Sequence, residues 1–131
     1  MSAVLFHMVP AAPEPVGPFS HATEVDGWVF VTGQMPTYPG NPHTAVPEGI
    51  EAQTRLVMEN LRQVLAGLGM SLRDVVRCGA YLTRFEQDYE TFNRLYRGYF
   101  DSGRLPARTC IGVTTLARGA RVEVDFIARR P

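Results

Sequence analysis

Lysine is absent from this 131-residue chain; all thirteen basic positions are arginine. Without a side-chain primary amine the chain cannot form a lysine Schiff base, hold pyridoxal phosphate covalently or build a Walker-type phosphate loop. Cationic recognition must use guanidinium groups. Cysteine is scarce too. Cys78 and Cys110 are too few for a disulfide scaffold and fit a reducing compartment. No run of about 18 apolar residues occurs, and the patch Val4, Leu5, Phe6 lacks the basic flank and length of a secretory signal. His7, His21 and His43 have no metal-ligand spacing and fall in or near loops, so surface positions are expected and no metal or cofactor is implied. An excess of one charge is also lacking. Thirteen basic and thirteen acidic residues give a formal net charge of +0, which makes nucleic acid an unlikely partner. The expectation is a soluble cytoplasmic protein with no membrane association.

What is present fits one domain spanning residues 1–131, with 45% hydrophobic residues to build its core. Five prolines and glycines between residues 10 and 18 exclude a helix or central strand there. Asp26-Gly27 between apolar runs signals a hairpin within residues 21–34. Proline and glycine make residues 35–47 a loop. Val57, Leu61, Val64, Leu65 and Leu68 recur at helical spacing over 50–68, with Gly69 as a left-handed stop. Ser71-Leu72-Arg73-Asp74 fits a capping box but precedes a strand-like run over 75–82, and so reads as a turn. A second helix over 86–100 carries an aromatic stripe, and strands follow over 108–113 and 121–128. The order ββαβαββ gives an α+β fold with a ferredoxin-like arrangement, a mixed sheet with both helices on one face. The other face needs a cover, and self-association is the natural one.

Strand alternation sorts the last two strands. Val122, Val124, Phe126 and Ala128 should face the helices, leaving Glu123 mid-strand on the uncovered face, either solvated or functional. Arg108 and Cys110 share a face of the preceding strand. Arg108 fits a bidentate carboxylate clamp or a surface ion pair. Asn93 interrupts the aromatic stripe of its helix and must be hydrogen-bonded if buried, to a loop or to a ligand. Cys78 lies in an apolar run and reads as core. No G-x-G-x-x-G, C-x-x-C or G-x-S-x-G motif occurs.

Taken in order, Gly17-Pro18-Phe19-Ser20, Phe30-Val31-Thr32-Gly33-Gln34, Gln53-Thr54 with Asn60, and Ser71-Leu72-Arg73-Asp74-Val75-Val76 resemble signature stretches of the RidA/YjgF family. So do Asn93-Arg94-Leu95-Tyr96, Pro106-Ala107-Arg108-Thr109-Cys110 and Val122-Glu123-Val124. The resemblance runs from about residue 15 to residue 128. It implies a chorismate-mutase-like α+β fold, a homotrimer with its sheets packed inward, and three clefts between subunits. It further implies hydrolytic deamination of 2-imino or 2-enamino acids, such as 2-aminoacrylate, to 2-oxo acids and ammonia without metal or cofactor. Arg108 would grip the substrate carboxylate and Glu123 would handle the proton of the attacking water. Backbone groups near Cys110 and Gly33 would complete the anion site, with Asn93 and Thr32 as polar contacts and Phe19 on the cleft wall. Two positions depart from the family pattern: Phe19 stands where Tyr is common, and Thr32 where Ser is. Losing the phenol fits either altered catalysis or a pocket for larger, more apolar imines. A non-enzymatic trimeric module that binds small carboxylates, or a family member specialised in one biosynthetic pathway, is a second possibility. Endoribonuclease or translation inhibitor, labels carried by some family members, fit a chain of zero net charge poorly.

Overall fold

The computed structural model describes residues 2–131. Six strands form a single sheet, which opens with β1 (Leu5–His7), β2 (Ala22–Val25) and β3 (Trp28–Gln34). The β2–β3 turn holds Asp26 at φ 52° and Gly27 at φ 81°, the paired left-handed conformation that a two-residue hairpin of this hand requires. After α1 (Ile50–Gly67) come β4 (Val75–Leu82), α2 (Phe85–Arg97), β5 (Ala107–Gly112) and β6 (Val122–Arg129). The order across the sheet is β1-β2-β3-β6-β4-β5, antiparallel throughout except for β4–β5. The α2 crossover between β4 and β5 accounts for that one parallel pair.

The expected elements lie within a few residues of their places. Gly69, at φ 73°, turns the chain after α1, and the Met70 amide donates back to the Leu65 carbonyl (2.8 Å). The stretch Leu72–Asp74 is a single 3-10 turn closed by a true capping box from Ser71. α2 ends at Arg97, with Gly98 at its C-cap, so Tyr99 and Phe100 of the expected stripe lie in the turn beyond. Two expectations need correction. The patch around Leu5 and Phe6 is a strand, too short and too exposed to show alternation. His21 is buried rather than on the surface: its ring accepts from the Val9 amide (2.8 Å) and bonds the Pro13 carbonyl (2.7 Å), pinning the proline-rich segment over the core.

Both helices pack on one sheet face. Val57, Met58, Leu61, Val64 and Leu65 of α1 meet Val29 and Val31 of β3 and Val122, Val124, Phe126 and Ala128 of β6, all buried. Asp88 of α2, 1% exposed, accepts from Arg121 Nε (2.9 Å), while the Arg121 amide donates to Gln53 of α1 (2.8 Å). This buried pair ties α1, α2 and the start of β6 together. The opposite face is bare: Trp28 and Phe30 are 42% and 44% exposed there. No helix among the described residues is long and apolar enough to cross a membrane.

Candidate functional site

The sheet divides the candidate residues into two groups. On the helix side, Arg108 of β5 lies over α2. Its guanidinium carbon is 4.9 Å from the Tyr96 ring centroid, 5.6 Å from Phe92 and 5.9 Å from Tyr89. Its Nη2 donates to Asn93 Oδ1 at 2.7 Å. Asn93 therefore interrupts the aromatic stripe in order to hold an arginine, and the three rings form its bed. Among the described residues no carboxylate pairs with Arg108. The guanidinium opens onto a cavity of about 290 Å³ walled by Tyr89, Tyr96, Leu105 and Pro106, with Arg97 also in the lining. Cys110, two residues along the same strand face, has its thiol pushed up by burial, which disfavours a nucleophilic thiolate. Cys78 is buried in the core with its thiol raised to about 12, chiefly by burial.

On the open side, Glu123 of β6 stands against a shift in the β3–β6 register between Val31 and Gln34. The shift places Gly33 beneath the Glu123 carboxylate, where a Cβ would collide with it. Gly33 is thus a requirement of close approach. Burial first, and the neighbouring Asp125 second, push the Glu123 carboxyl above its usual range. Phe19 and Thr32 line an open hollow of about 450 Å³ with Phe6 and Phe30, and Phe19 also packs beside Gly33.

One chain therefore does not bring Arg108 and Glu123 together. Arg108 pairs with Cys78 in register on the helix side, whereas Glu123 pairs with Tyr81 on the open side. Within one chain the expected site residues fall into two groups, Arg108, Asn93 and Cys110 on the helix side and Phe19, Thr32, Gly33 and Glu123 on the open side. The aromatic bed of Arg108 and the Tyr81–Asp125 contact beside Glu123 went unread in the sequence. Asp125 has the parity of Glu123, a usable signal, but its partner depends on a register set by residues more than forty positions away. Among the described residues no cluster of His, Cys, Asp and Glu could hold a metal ion.

A model of the family described as Endoribonuclease L-PSP matches residues 9–130. The chain belongs to this family. Protein DfrA of Myxococcus xanthus is 41% identical over 119 residues, covering 89% of this chain and 88% of that protein. The 2-iminobutanoate/2-iminopropanoate deaminase of Mus musculus is 35% identical over 117 residues, covering 89% of this chain and 84% of the mouse protein. The crystal structure of YyfA from Yersinia pestis, a protein of the conserved Rid family, superposes with a TM-score of 0.90 at 31% identity, covering 97% of this chain and 99% of the other. The RidA/YjgF resemblance therefore holds at the level of family and fold, and members of this Endoribonuclease L-PSP family include proteins named as imine deaminases.

Proposed function

We propose that this Endoribonuclease L-PSP family member hydrolyses small 2-imino or 2-enamino acids to 2-oxo acids and ammonia, in clefts where one copy of the chain supplies Arg108 and another supplies Glu123. The observation that carries this reading is the Arg108 guanidinium: held by Asn93, bedded on three rings, facing a cavity and lacking a carboxylate partner among the described residues. A substrate carboxylate completes that arrangement with two parallel N–H···O bonds. Clamping the carboxylate fixes the adjacent C=N carbon for attack and replaces the orientational entropy of a free encounter.

An enamino acid first tautomerises to the imino acid, a proton being gained at the β-carbon and one lost from nitrogen; water then adds to the C=N carbon, and the nitrogen takes a proton. Collapse of the resulting carbinolamine forms the C=O bond and breaks the C–N bond, releasing ammonia. Glu123 takes the proton of the attacking water and returns it to the departing nitrogen. A carboxyl raised by burial can hold a proton closer to neutral pH than an exposed one can, which suits it to both steps. No step calls on a metal or on a lysine, of which the chain has none. A cleft shared between copies would let the two groups, on opposite faces of one sheet, act together, and a homotrimer with sheets inward would also cover Trp28 and Phe30.

Phe19 favours a second reading, a carboxylate-binding module without turnover, because it leaves the Glu123 group without the family's usual phenol. Imines generated in situ by an amino-acid oxidase, with their decay followed by semicarbazide trapping, separate the two. Wild-type protein should accelerate decay, Arg108→Ala should abolish the acceleration while staying folded, and Arg108→Lys should lose about 10²-fold or more because an ammonium lacks the fork. Undiminished turnover in Arg108→Ala sinks the assignment.

A further inference from the structure

Two carboxylates share the open face of β6, at Glu123 and Asp125, and their surroundings are unequal. In register, Tyr81 of β4 lies opposite Glu123 and Gly79 opposite Asp125. Yet the Tyr81 hydroxyl passes over its own cross-strand partner and donates to Asp125 Oδ2 at 2.8 Å, while the Gly79 amide donates to Asp125 Oδ1 at 3.1 Å. A Cβ at Gly79 would come within 2.6 Å of Asp125 Oδ1 and 2.8 Å of the Tyr81 oxygen, so glycine leaves the floor on which this contact is built. Glu123 receives no hydrogen bond among the described residues. The two β4 donors on this face are bound to its neighbour.

We propose that Asp125 is a positioning residue for Glu123: fixed by Tyr81 and the Gly79 amide, it holds a negative charge beside the Glu123 carboxyl and, together with burial, makes that carboxyl keep its proton longer. The Tyr81 hydroxyl and the Gly79 amide fix the Asp125 carboxylate in place, and a like charge held beside Glu123 opposes ionisation of that carboxyl, adding to the effect of its burial. Within one chain, the other groups facing Glu123 do not cancel it. Arg77 of β4 bonds the Cys78 carbonyl (2.7 Å) and Thr109 (3.3 Å) and lies opposite Ile127, four residues along β6 from Glu123. Arg121, of the same parity on β6, is turned to Asp88. β3 presents only uncharged Thr32 and Gly33, and Tyr81 is a phenol held up to about 12, first by its bond to Asp125.

The inference rests on Glu123 being the proton-handling group, and its test is kept independent of turnover. Carbon-13 carboxyl NMR titration of the intact, substrate-free protein reads the Glu123 midpoint directly, the resonance being assigned by its loss in Glu123→Gln. Asp125→Asn should lower that midpoint by on the order of half a pH unit to one unit, and the acidic limb of the kcat/KM profile should move down with it. Asp125→Ser, which also removes the charge, is the second variant should the amide misfold. A Glu123 midpoint unchanged in a folded Asp125→Asn or Asp125→Ser protein overturns the proposal. A wild-type chain inert on every imine whose Glu123 midpoint still falls in these variants supports it and removes the deaminase reading instead.

Discussion

Position 19 is where the chemistry of one side chain divides the functional possibilities. Phe19 is 42% exposed and lines a small cavity with Gly33, on the face of the sheet that carries Glu123. A tyrosine there would add one hydrogen-bond donor without changing the ring. If that donor limits water positioning, Phe19→Tyr raises turnover of 2-aminoacrylate, since one donor to a developing charge lowers a barrier by about 1–3 kcal/mol. If the bare ring instead shapes the pocket for larger apolar imines, the same substitution weakens those and leaves small ones unchanged. The expected outcome is the second, measured as the ratio of kcat/KM for imines of leucine and alanine. A ratio that rises in Phe19→Tyr contradicts it. Individual residues were unevenly legible from sequence. Glu123 and Arg108 stood out because strand parity and residue type are local properties. The burial of His21 was hidden, because nothing near it in sequence shows that residues 9 and 13 fold back onto its ring.

Among the elements, the helices and central strands were the readable part, since their apolar periodicities sustain themselves over eight to eighteen residues. The three-residue β1 could not announce itself, being mostly exposed and formed only by pairing with β2. The junction of elements is more fragile than any of them. Asp88 and Arg121 form a buried pair between α2 and the approach to β6, with Gln53 of α1 bound to the same residue. Removing one partner of such a pair leaves a charge without compensation. Asp88→Ala should therefore cost about 2–3 kcal/mol in denaturant unfolding, since the Arg121 left behind is only part-buried, several-fold more than Glu59→Ala, which breaks an exposed contact on α1. Equal losses would show that the pair does not organise the junction.

For the whole molecule, the uneven clothing of the sheet sets the expectation. Helices cover one face, while Phe6, Phe19, Trp28 and Phe30 lie open on the other. Light scattering at micromolar concentration should give the mass of three chains, and Trp28, the chain's one tryptophan, should shift its emission to longer wavelength when the assembly is dissociated. A monomeric mass defeats both the trimer and the shared cleft. Acid stability is a second whole-molecule property. Arg130 foremost, then His7, holds the Glu24 carboxyl at about 2, down from 4.5. A depressed carboxylate contributes stability that is fully present above its unfolded value and is lost as pH falls from about 4.5 toward 2. Between pH 5 and pH 3 the melting temperature of the wild type should drop further than that of Glu24→Gln. Equal drops would show that the acid sensitivity arises elsewhere.

The same carboxylate has a consequence for the path of the chain. Glu24 Oε1 bonds both His7, in the first strand, and Arg130, just past the last, each at 2.9 Å. Segments more than a hundred residues apart thus meet on one oxygen, while residues Gly40 and Asn41 lie exposed in a loop on the way to α1. A circular permutation that bridges the outer segments with a short linker and opens the backbone between Gly40 and Asn41 would cut no strand and no helix. It would leave the Glu24 carboxylate with its two partners joined by a covalent tether.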